Sequence, residues 1–153
     1  DIFLEIYGDG DYIPEILKAA QQDSRIRFMG LADNDDIVRR ETQATLLVNP
    51  RPVGQEFTQY SFPSKNMEYM VSGTPVLTTK LPGMPDEYYD YVFTIDGDSA
   101  ADITKALHTV LSKPGEELVE KGLKARSFVL KNKNNMVQAQ RILNLFTSGK
   151  TAV

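Results

Sequence analysis

Ala44-Thr45-Leu46-Leu47-Val48 is a near-continuous apolar run, closed by Asn49-Pro50-Arg51-Pro52. A run this short without polar alternation is the pattern of a strand buried on both faces, and such a strand needs helices above and below a parallel sheet. It reads as the central strand of its sheet. Further strands are expected at 1–7, 25–30, 76–79 and 92–95, with helical spacing between them.

That alternation predicts an α/β chain with a Rossmann-like parallel sheet and helices on both faces. Ile13, Ile16, Leu17 and Ala20 form the stripe of a first helix, after Gly8-Asp9-Gly10-Asp11. Asp33 or Asn34 caps a second through about 41, and Ser99 caps a later one, with Asp102 completing a shortened capping box. That later helix turns Ile103, Ala106, Leu107, Val110 and Leu111 inward and ends at Pro114-Gly115. Leu118, Gly122, Ala125 and Val129 make one further inward stripe, and Met136, Ala139, Leu143 and Phe146 another. A polar, solvent-facing hinge is expected at 131–135 and a frayed tail at 147–153. The length of 153 residues fits one domain, 1–153. The chain opens on a strand without an initiator Met, and is expected to be cut from a longer protein.

Composition narrows the chemistry. A net charge of −4 gives no electrostatic footprint for nucleic acid. The absence of cysteine removes disulfides and thiolate catalysis and suits a cytoplasmic setting. No apolar run reaches membrane-spanning length, which leaves room only for peripheral membrane association of a longer enzyme. The single histidine, His108, has no Asp, Cys or second His near it in sequence, so metal hydrolysis lacks a ligand set and reads as absent. Walker-A and Gly-x-Ser-x-Gly patterns do not occur.

The stretch 60–85 holds the remaining chemistry. Ser64 follows Pro63 and heads a run of helix formers, so a helix is expected to start there with its first N–H groups unpaired. Such an end binds anions, phosphate above all. Met67, Met70 and Val71 face the core by spacing, while Ser64, Glu68 and Ser72 share a polar face. Gly73 reads as a left-handed C-cap, and Thr74-Pro75 stops the helix. From spacing alone Glu68 reads first as a surface residue making an i, i+4 contact, and Lys65 is equally solvent-exposed.

Phe62-Pro63-Ser64-Lys65, then Glu68-Tyr69-Met70, then Gly73-Thr74-Pro75-Val76, resembles the donor-binding segment of retaining family-4 (group 1) glycosyltransferases of GT-B fold. The resemblance covers nearly the whole chain in element order, and its specific part is 60–85. It implies the C-terminal half of a GT-B architecture. The activity implied is metal-independent transfer of a sugar from a nucleotide-sugar to an acceptor, in polysaccharide or glycoconjugate synthesis, with no cofactor beyond that donor.

The partners implied are the nucleotide-sugar and an N-terminal acceptor domain absent from this chain. Most catalytic residues would lie outside it, so the chain alone would bind donor weakly and transfer nothing.

The family brackets the donor with Glu, seven residues, Glu. Glu68 matches the second, which contacts the ribose, whereas the first position holds Tyr60, with Glu56 the nearest carboxylate at the wrong spacing. By the resemblance, Pro63, Ser64 and Lys65 receive phosphate, Tyr60, Ser61 and Phe62 line the sugar pocket, Gly30 and Leu31 border the base, and Gly8 and Gly10 form a donor-side loop. Without it, Gly8 and Gly10 make a plain turn, Gly30 ends a strand, and the cluster Tyr88, Tyr89 and Tyr91 packs over a sheet edge. Two other readings remain open: a non-catalytic protein-binding module and a nucleotide-sugar epimerase of GT-B fold.

Overall fold

The computed structural model describes residues 2–148. The chain divides after Arg40 into two compact units.

The first unit holds β1 (Leu4–Tyr7), α1 (Ile13–Gln22), β2 (Ile26–Gly30) and the opening turns of α2 (Asn34–Gln43). β1 and β2 run parallel, Leu4 opposite Ile26 and Ile6 opposite Phe28, with a shift that sets Tyr7 opposite Gly30. Arg27 lies 4.0 Å over the Phe3 ring and 3.8 Å from Glu5. Among the described residues of this unit none is fully buried.

The second unit carries β3 (Leu47–Asn49), α3 (Ser64–Ser72), β4 (Val76–Thr79), β5 (Phe93–Ile95), α4 (Ala100–Leu111), α5 (Gly115–Asn132) and α6 (Asn135–Ser148). Its sheet is parallel in the order β3-β4-β5. Every residue of β4 is buried. Successive strand residues face opposite ways. Val76 accordingly joins Met70 of α3 and Ala125, Phe128 and Val129 of α5, while Leu77 joins Ile95, Val110 of α4 and Leu118 of α5. A parallel sheet with helices on both faces is the architecture expected from the alternation.

Several local expectations hold. Ser99 accepts from the Asp102 amide and Asp102 reaches back to Ser99, closing the capping box. Leu118, Gly122, Ala125 and Val129 are all buried along α5.

Others are corrected. The central strand of this sheet is β4, and β3, shorter than expected and only half-buried, pairs with it from one side. The loop after β3 contains a 3-10 turn, Glu56–Gln59. Met136, Leu143 and Phe146 of α6 are 75%, 57% and 70% exposed, so that stripe faces no described core. Lys133, expected in solvent, is turned inward: it pairs with Glu87 and lies 5.0 Å over Tyr88 and 5.4 Å over Phe128. α6 continues through Thr147 to Ser148, and the rest of the expected tail lies outside the described residues.

Candidate functional site

α3 starts at Ser64 because Pro63, with φ −63° and ψ 115°, holds extended backbone before it. Proline has no side-chain oxygen to cap the helix, and no side chain caps it here. The Asn66 amide donates to Pro63 O at 2.9 Å. The amides of the opening turn and their dipole therefore point out of the helix end unneutralised by a cap.

A buried polar knot fixes that end. Asn66 is fully buried and accepts from Asn49 Nδ2 at 2.7 Å while donating to Thr78 Oγ1 at 3.2 Å. Thr78 in turn donates to Asn49 O at 3.1 Å. One side chain thus ties α3 to β3 and β4, and sequence reasoning missed it, because an asparagine within a helical stretch carries no mark of burial.

The helix end opens on a cavity of about 220 Å³ lined by Arg51, Phe57, Thr58, Ser61, Pro63, Ser64 and Leu81. Arg51 stands at the carboxyl end of β3, its amide held by Thr79 Oγ1 at 2.8 Å. It brings a permanent cation to the same cavity as Ser64, and sequence reasoning did not single it out. The far wall is set by close backbone contact. A Cβ on Gly83 would lie 2.9 Å from both Ser61 N and Ser61 O and 3.0 Å from Gln59 O, so only glycine lets the two loops meet.

Glu68 lies one turn along α3, half-buried, with Oε1 2.8 Å from Lys65 Nζ. Lys65 is paired there and is not part of the cavity lining. The Glu68 hydrogen bond raises the Lys65 ammonium above its ordinary value. Behind the helix start, Phe62 meets Tyr88 at 4.5 Å, Tyr88 meets Phe128 edge-on at 5.4 Å, and Tyr91 stacks on Phe128 at 4.2 Å. Burial pushes the Tyr88 phenol up. The tyrosine cluster packs as the residue-level reading expected.

Tyr60 is 82% exposed and, like the exposed Glu56, does not line the cavity. In the first unit the Gly8 amide donates to Gly30 O at 2.8 Å, which joins these two strand ends. Gly30 has φ 70°, a left-handed conformation that favours glycine, and Leu31 beside it is 78% exposed. Gly10 precedes α1, its amide on Asp9 Oδ1 at 2.9 Å. His108 is an exposed residue of α4. Among the described residues no group of three or more His, Cys, Asp or Glu is placed to hold a metal, and no helix is long and apolar enough to cross a membrane.

A sequence model described as "Glycosyl transferases group 1" matches residues 1–113. This chain belongs to the group 1 glycosyltransferases. Its fold is similar to that of Anabaena HepE, solved in complex with UDP, with a TM-score of 0.70 at 16% identity, over 96% of this chain and 41% of that one. The chain therefore spans about two fifths of that protein's length. No curated protein sequence matches it. Membership of the group 1 glycosyltransferases is what the segment from Phe62 to Val76 implied, and the helix start, C-cap glycine and buried strand of that segment are all present.

Proposed function

We propose that this chain is the donor-binding part of a retaining glycosyltransferase that takes a sugar from a nucleotide-sugar without a resident metal or cofactor, in polysaccharide or glycoconjugate synthesis in the cytoplasm. The observation that carries the reading is the uncapped start of α3 opening, beside Arg51, on a cavity of about 220 Å³. A diphosphate seated there receives the α3 amides, the Ser64 hydroxyl and the Arg51 guanidinium, a set that favours negative charge and stabilises it as the sugar departs. Glu68 accepts the ribose hydroxyls from one turn further on. The resemblance alone assigns Gly30 and Leu31 to the base, Gly8 and Gly10 to the donor loop, and Tyr60, Ser61 and Phe62 to the sugar. The acceptor and most catalytic groups belong to an N-terminal domain.

A chemical-shift titration of the labelled chain with UDP, GDP and ADP tests this. HepE was solved with UDP, which makes UDP the first probe. Shifts are expected at the Ser64 and Lys65 amides, with affinity falling about tenfold in Arg51→Ala, the loss of one charge-assisted contact. Shifts that avoid the start of α3, or that are indifferent to Arg51→Ala, would overturn the assignment.

A further inference from the structure

The turn Glu56–Gln59 presents an aromatic ring to the cavity at the start of α3. Thr58 is buried, and its hydroxyl donates to Gln55 O at 2.6 Å, closing the turn on itself. The Gly83 amide donates to Thr58 O, and the Val53 amide, just before the turn, is held by Asp98 Oδ2 at 2.9 Å. The turn is thus pinned to two other loops, yet Phe57 within it is 56% exposed and lines the cavity together with Arg51 and Ser64. An exposed apolar side chain is ordinary by itself. An aromatic wall facing a cavity that also holds a cation is the make-up of a small-molecule site.

At about 220 Å³ the cavity is below the roughly 300 Å³ at which pockets take a drug-sized ligand, so it holds only part of a nucleotide-sugar. Lys65 and Glu68 are outside its lining. With the ribose on Glu68, the nucleoside therefore lies further along α3, and the cavity keeps the diphosphate and the sugar that hangs from its other end. The aromatic side chains that the resemblance gives to the sugar are not there: Tyr60 is outside the lining, and Phe62 packs on Tyr88 at 4.5 Å. Among the described residues that line the cavity none is Asp or Glu, and the Thr58 hydroxyl proton is spent within the turn. What remains for a sugar is the Phe57 ring, with the Ser61 hydroxyl. The C–H groups on one face of a pyranose carry partial positive charge, and the face of an aromatic ring is negative. We propose that Phe57 is a specificity-determining residue whose ring stacks on the C–H face of the donor hexose, so that the site holds a nucleotide-sugar in preference to the free nucleotide that transfer leaves behind. The inference rests on the diphosphate lying at the start of α3.

The test is binding of UDP and UDP-glucose, GDP and GDP-mannose, and ADP and ADP-glucose to the whole chain, followed at the Ser64 and Lys65 amides, for the wild type, Phe57→Leu and Phe57→Tyr. For the nucleotide that binds, the wild type should hold the nucleotide-sugar about tenfold more tightly than the nucleotide alone. Phe57→Tyr keeps the ring and should keep that margin, whereas Phe57→Leu should bind the two alike. The chain has no tryptophan, so Phe57→Trp places a single indole in the cavity wall, and its emission should change with the nucleotide-sugar and not with the nucleotide. A margin retained in Phe57→Leu, or none in the wild type, overturns the role of Phe57 and leaves the diphosphate site standing. An emission change as large with the nucleotide alone does the same, since it would put the base on the ring in place of the sugar. Nucleotide binding that bypasses the start of α3, or no nucleotide binding at all, overturns the site and this inference with it. Should Phe57→Leu not fold, the emission of Phe57→Trp decides by itself.

Discussion

Gly83 shows how a residue outside the cavity lining, packed on the backbone of one that lines it, governs the site. Its φ is not left-handed, so the constraint is space rather than backbone conformation. A methyl group there would press on Ser61 N, Ser61 O and Gln59 O, which are backbone atoms and cannot swing aside as a side chain does. Ser61 lines the cavity at the start of α3, so the strain is released into the wall that a ligand would touch. Gly83→Ala is expected to cost about 1–3 kcal/mol, the usual range for overpacking. Urea unfolding measures that cost. A chain as stable as the wild type would show that the loops move apart freely. Glu41 is the opposite case, an ionisable side chain where a buried apolar one is the norm, at a corner where its backbone carbonyl accepts the Thr74 hydroxyl.

The same argument decides a helix. Gly122 lies mid-way along α5, where Ala normally gains about 1 kcal/mol over Gly. Here a Cβ would stand against Gly73 O and Pro75 N, the backbone that closes α3 and leads into β4. Overpacking against backbone outweighs the propensity gain, so Gly122→Ala should lower stability by about 1–2 kcal/mol. Gly115, at the first position of α5 with nothing within 4 Å, is the control and should gain up to about 1 kcal/mol as Ala. Thermal melts of the two variants check both signs.

The sequence made much of this legible, because 3.6-residue spacing, a glycine after the last turn and a Ser-x-x-Asp pair are local signals. They located α3, the left-handed Gly73 at φ 84°, and the α4 capping box. What was not legible is what a stripe faces. The α5 and α6 stripes look alike as sequence, yet one is buried and the other is exposed along Met136, Leu143 and Phe146. Periodicity records amphipathicity, and the partner is a tertiary fact. Asn66, Glu41 and Arg51 were missed for the same reason, since each owes its role to neighbours 12 or more residues away.

Burial is unevenly shared across the molecule, and stability should follow it. No described residue of the first unit is fully buried: β2 alternates between half-buried and exposed positions, and β1 is exposed at Leu4 and only half-buried from there to Tyr7. In the second unit β4 is buried at every position, with apolar clusters on either face. Local opening costs the least where few apolar contacts must be broken. Amide exchange at Leu4 and Gly8, which donate to Arg25 O and Gly30 O at 2.8 Å, is therefore expected through openings about 2 kcal/mol or more below those that release the amides of β4. Native-state hydrogen exchange in low denaturant separates the two sets directly. Equal protection would mean that β1 and β2 open only when the β4 core does, and burial within each unit would then no longer set its stability.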